Sequence, residues 1–117
     1  MLTIRREQME ALGRQSLQQF EAALLEHLRT RFPTQTDGRL DPELRTMIHD
    51  GIDRATVYGI TLENDVRRYV EWMVLYGPDF DRNPETAWAG DILRTDDLDG
   101  TEKIDRIEEA ELFTGEE

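Results

Sequence analysis

The chain has 117 residues, 26 Asp and Glu against 14 Lys and Arg, no Cys, and a net charge of −12. That length suits one domain, and the missing Cys excludes disulfides, thiolate metal sites and Cys nucleophiles. The charge argues against direct nucleic-acid binding, which needs a basic face.

Read in chain order, the sequence predicts an all-α bundle of about five helices with a long N-terminal helix. Thr3 to Arg31 holds no Pro, and Ile4, Met9, Leu12, Ser16, Phe20, Leu24 and Leu28 recur at near-helical spacing. Thr3 suits the N-cap and Pro33 stops the helix. Thr34 to Leu40 reads as a loop. Asp41-Pro42-Glu43 opens a second helix, with Asp41 as cap and Pro42 in the first turn. Its stripe is Leu44, Ile48, Ile52 and Ala55. Gly51 lies beside that stripe, where a missing side chain lets another helix approach. Gly59 suits the C-terminal cap.

Thr61 is expected to cap the third and most apolar helix, whose face is Val66, Tyr69, Val70, Met73 and Tyr76. Trp72 and Leu75 widen that face, and part of the rim is expected to be exposed. Gly77-Pro78 ends the helix. Asn83-Pro84-Glu85 starts a short fourth helix that runs to about Arg94, with Trp88 and Ile92 one turn apart and Ala89 and Leu93 likewise. After the acidic linker Thr95 to Gly100, Thr101 can cap a last helix bearing Ile104, Ile107 and Leu112. The organisation is a helical core over residues 1–94 and an acidic linker and C-terminal segment over 95–117 that can pack on it.

No apolar stretch follows the charged N-terminus, so no signal peptide is expected. The longest apolar run, Trp72 to Tyr76, is far short of the about 20 residues of a membrane helix. The expected location is the cytosol.

The acidity is uneven. Residues 1–78 carry 12 acids and 10 bases, net −2; residues 79–117 carry 14 acids and 4 bases, net −10. The charge therefore belongs to the final third.

Candidate chemistry is sparse. Asp79-x-Asp81-x-Asn83 imitates the start of a calcium loop, but Pro84 stands where the turn needs Gly and Gly90 where a bidentate Glu is needed. An Asx-rich turn explains it better. His27 and His49 stand alone, without metal-ligand spacing. Ser16, the one Ser, lacks a nucleophile-elbow context. No metal or cofactor is expected. Asp79, Asp81 and Asp91, close in sequence to Phe80 and Trp88, are the only cluster of carboxylates with aromatics nearby. Together with a His they define one alternative, a small metal- or carboxylate-dependent hydrolase. A self-assembling module is another.

The run Ile4-Arg5-Arg6-Glu7-Gln8-Met9, then Phe32-Pro33, Ala55, Tyr58-Gly59-Ile60-Thr61, Tyr69-Val70, Met73, Tyr76-Gly77-Pro78-Asp79-Phe80-Asp81, and finally Trp88-Ala89 with Ile92-Leu93, resembles a group of small all-α proteobacterial proteins encoded near type VI secretion and polymorphic-toxin genes. The resemblance spans about residues 3–93 and carries no catalytic signature. It implies an accessory role around an effector, as adaptor, chaperone or immunity partner. The residues and the resemblance together lead to a non-catalytic protein that binds another protein with a basic surface, an effector, toxin or secretion component. The expected contacts are Asp96, Asp97, Asp99, Glu108 and Glu109, with Phe80 and Trp88 as anchors. Homo-oligomerisation stays open, and neither nucleic acid nor membrane is an expected partner.

Overall fold

A computed structural model describes residues 14–115, with side chains described over 18–112. Among the described residues six α-helices follow one another: α1 (Arg14–Arg31), α2 (Pro33–Thr36), α3 (Asp41–Val57), α4 (Glu63–Tyr76), α5 (Ala87–Leu93) and α6 (Gly100–Gly115). A 3₁₀ turn, Pro84–Thr86, leads into α5. No strand occurs among the described residues, so the all-α expectation holds for them. The expected cap Thr3 and the apolar positions Ile4, Met9 and Leu12 lie outside the described residues. No helix of the described chain is long and apolar enough to cross a membrane.

The core follows the helical periodicity. Leu44, Ile48, Ile52 and Ala55 of α3 are buried against Val66, Tyr69, Val70 and Met73 of α4, and Leu24, Leu25 and Leu28 of α1 close over them. Gly51 allows the tight α3–α4 crossing. A Cβ there would stand 2.7 Å from Val70 Cγ2 and 2.9 Å from Met73 Sδ. Both histidines tie α1 to its neighbours: His27 Nε2 lies 2.5 Å from Glu71 Oε2 of α4, and His49 Nε2 of α3 lies 2.7 Å from Glu21 Oε1.

Several expectations change at helix ends. Pro33 ends α1 but does not open a loop. It occupies the first position of α2, where its missing N–H leaves no bond unmade. Thr36 holds that turn by donating from Oγ1 to the Phe32 carbonyl at 2.8 Å. The N-cap of α3 is Leu40, not Asp41, whose carboxylate instead accepts from Arg29 Nε at 3.0 Å and Nη2 at 2.6 Å. Leu62, not Thr61, precedes α4. Asn83 caps as expected, accepting from the Glu85 N–H at 2.9 Å. Gly59 and Gly77 both end helices at positive φ, +79° and +105°, a region that favours glycine.

α4 is the centre of the fold, and its exposed rim is narrower than expected. Tyr69 and Trp72 are both buried, because the chain after Gly77 folds back and sets Phe80 against them. Their ring centroids lie 5.1 and 6.5 Å from that of Phe80. The helix is thus covered on more than one side, and only Leu75 and Tyr76 of its expected face stay exposed.

α6 joins the same core. It packs on α4 and α5 and buries Ile104 and Ile107. Its first residue needs to be small: a Cβ on Gly100 would stand 2.4 Å from the Gly59 carbonyl oxygen and 2.8 Å from Ile60 Cα.

Candidate functional site

The final third of the chain builds an acidic face on α5, α6 and the turn between them. Asp91, Asp96, Asp97, Asp99, Glu102 and Asp105 are exposed, as are Glu108 and Glu109. The same segment carries only four cations, and one of them, Lys103, points inward. Lys103 is 7% exposed and donates from Nζ to the Tyr58 carbonyl at 2.8 Å. Arg94 donates from Nη2 to the Asp81 carbonyl at 2.6 Å. Folding sharpens the charge imbalance already present in the sequence at Lys103, whose ammonium leaves solvent for a backbone carbonyl, while Arg94 stays exposed.

The expected contact residues divide into distinct groups. Asp96 and Asp97 are exposed in the turn between α5 and α6. Asp99 serves the fold. It accepts from the Glu102 N–H at 2.8 Å while Glu102 accepts from the Asp99 N–H at 3.1 Å, a reciprocal capping box that starts α6. Asp99 thus replaces Thr101 as the cap, and Thr101 donates instead to Asp65 Oδ2 at 2.6 Å. Glu108 pairs with Arg68 of α4, which also meets Asp105 at 3.3 Å. Glu109 is exposed and lines a groove of about 540 Å³ with Ile92, Arg106 and Ala110.

Phe80 is a correction. It is 1% exposed and sits in the core, so its surface is spent on Tyr69 and Trp72 and cannot anchor a partner. Trp88 is half-buried, packed edge-on against Tyr76 with centroids 6.1 Å apart. Tyr76 in turn donates to Glu111 Oε2 at 2.5 Å, which joins the ends of α4 and α6. Burial, and then this bond to Glu111, push the Tyr76 hydroxyl up to about 12.

Asp79 and Asp81 do come together, but around a cation. Arg54 Nη1 lies 2.9 Å from Asp79 and 3.3 Å from Asp81, and donates to the Pro78 carbonyl at 2.5 Å. Asp81 is 2% exposed and also accepts from the Tyr58 hydroxyl at 2.7 Å. Arg54 joins both carboxylates, with Arg82 Nε a further 3.8 Å from Asp81, so the cluster pins the loop before α5 onto the end of α3. Asp91 is exposed on α5, and each histidine faces a single Glu. Among the described residues no group of three or more His, Asp and Glu is placed to hold a metal ion. A second, more apolar groove of about 460 Å³ runs between α1 and α4, with Phe20, Leu24, His27 and Arg67 in its wall.

The inward turn of Lys103 was open to sequence reading, since Lys103 adjoins Ile104 and stands one turn from Ile107 on the buried stripe. The Arg68 and Arg54 pairings join residues far apart in the chain, and no local pattern announces them. Comparison of the chain with protein-family models, with curated proteins and with solved structures finds no match.

Proposed function

We propose that this chain is a non-catalytic accessory protein that binds another protein through its acidic face, as adaptor, chaperone or immunity partner of a secreted bacterial effector. The observation that carries this reading is the orientation of charge after residue 79. Asp96, Asp97 and Glu109 face solvent while Lys103 turns inward. Such a face steers a basic partner and selects against acidic ones. The family resemblance supplies the effector context.

The test is affinity capture from the native host with the full chain, at low and high salt. A stoichiometric basic partner that is lost at high salt and lost with D96K/D97K/E109K supports the reading. A partner that survives both treatments refutes it. Asp99 is left unchanged in that variant, because reversing it would also break the cap of α6.

A further inference from the structure

The α1 side carries a groove of a different character from the acidic face. It encloses about 460 Å³ between α1 and α4, with Phe20, Ala23, Leu24 and His27 on one wall and Glu63 and Arg67 on the other. That size falls within the roughly 300–1,000 Å³ of ordinary binding pockets. Phe20 is only half-buried and Ala23 is exposed. The α4 wall offers one acid and one base, and His27 is already paired with Glu71. Charge therefore selects no cationic or anionic occupant here. The groove suits apolar side chains on a segment of balanced charge.

The chain carries such a segment beside the groove. Residues 1–12 hold Leu2, Ile4, Met9 and Leu12, with Arg5 and Arg6 balanced by Glu7 and Glu10. Gly13 follows, the only Gly before Gly38, and Gly is the residue that most readily ends a helix and reverses the chain at positive φ. The length fits as well. Arg14 is already helical, and Phe20 to His27 lie about 9 to 20 Å beyond it along α1 at a rise of about 1.5 Å per residue. Twelve residues in helical form span about 18 Å. A reversal at Gly13 thus carries Ile4 level with residue 22 and Leu2 level with Leu24.

We propose that residues 1–12 fold back at Gly13 as a helix antiparallel to α1 and seat Leu2 and Ile4 in the α1–α4 groove. The tether decides between this occupant and a second copy. A segment joined to the wall it fills acts at an effective concentration in the millimolar range, which a segment of another molecule does not match in dilute solution. The driving force is the apolar surface that groove and segment remove from water together. The α5–α6 face stays open to a partner.

The test is a spin label on the full chain. The sequence has no Cys, so Thr3→Cys offers a single attachment point, on a residue that is not itself seated in the groove. A nitroxide there broadens nearby amide signals, and chemical reduction of the label gives the reference spectrum. With the segment folded back, residue 3 stands level with Ala23. The amides of Phe20, Ala23, Glu63 and Arg67 are then expected to lose most of their intensity in dilute protein, and Ile4→Asp in the labelled chain should restore most of it. A single straight helix from Thr3 to Arg31, which the periodicity also allows, would hold residue 3 about 25 Å beyond Phe20. Undiminished intensity at Glu63 and Arg67 is that result, and it would overturn the proposal. A mixture of spin-labelled chain with isotope-enriched chain lacking the label reads the other alternative. Broadening of the enriched chain at the groove would make the occupant the segment of a second copy and overturn the proposal equally. Either result leaves the acidic-face reading standing.

Discussion

Replacing Gly100 by Ala tests how α6 is seated. The added Cβ would meet the Gly59 carbonyl oxygen at 2.4 Å and Ile60 Cα at 2.8 Å, whereas an ordinary contact begins near 3.4 Å. The helix start and the turn after α3 must therefore separate by about 1 Å. Both opposing atoms are backbone, so no rotamer change can relieve the clash. Overpacking of this kind costs about 1–3 kcal/mol, and the better helix propensity of Ala returns less than about 1 kcal/mol at a helix end. A net loss of about 2 kcal/mol is expected. With an unfolding entropy of about 2.1 cal/mol/K per residue, that corresponds to a Tm lower by roughly 8 °C for this chain. Thermal unfolding by far-UV circular dichroism measures it, with urea unfolding as a check on two-state behaviour. Gly51→Ala is the internal comparison. Its Cβ would meet side-chain atoms, one of them the thioether of flexible Met73, so the loss should be smaller. A Gly100→Ala protein that melts at or above the parent temperature would refute the close seating of α6 on the Gly59–Ile60 turn.

Three further outcomes are expected. Asp81→Ala leaves Arg54 with the exposed Asp79 and the Pro78 carbonyl and orphans the Tyr58 hydroxyl, and should cost about 3 kcal/mol in urea unfolding, against about 1 kcal/mol for Tyr58→Phe; equal small losses would contradict the buried cluster. Tyr69→Phe removes a buried hydroxyl that has no hydrogen-bond partner among the described residues, and should raise stability by about 1 kcal/mol. A lower urea midpoint would show that the hydroxyl is held after all. In alkaline titration, burial holds the hydroxyls of Tyr58, Tyr69 and Tyr76 above their ordinary range, so the folded state favours their neutral forms. Their contribution to stability is complete below about pH 10, the unfolded value. It is lost as pH rises toward the Tyr76 value of about 12. Ultraviolet difference spectra should show no tyrosine ionising near pH 10 before the protein unfolds, and one that does would contradict the packing described.

Periodicity made the described helices readable. Leu44, Ile48, Ile52 and Ala55 are buried as their spacing requires, and Gly51 sits where close approach needs it. Pro42 and Pro84 mark helix starts because their missing N–H does no harm there. Phe80 was misread because its neighbours Asp79 and Asp81 suggest a solvated loop. Its burial depends on Arg54 reaching across from α3 to gather those carboxylates, a pairing 25 and 27 residues distant in the chain. The candidate site divided in the same way. The excess of acids is compositional and visible, and the Asp99–Glu102 capping box is a local pattern, but Glu108 bound to Arg68 is a product of tertiary packing.

The inward turn of Lys103 adds to an electrical lopsidedness already set by the sequence. Residues 14–78 carry 10 acids and 8 bases, while the segment after them holds nearly all of the net charge. At physiological salt a charge is felt over about 8 Å, less than the shortest dimension of the protein, 22 Å. A partner approaching the α1 side therefore meets an almost neutral object, and one approaching the α5–α6 side meets a concentrated anion. The total of −12 is never sensed as a whole. For the partner proposed above, the field amounts to a short-range torque that would turn it toward α5 and α6 before the first atoms touch.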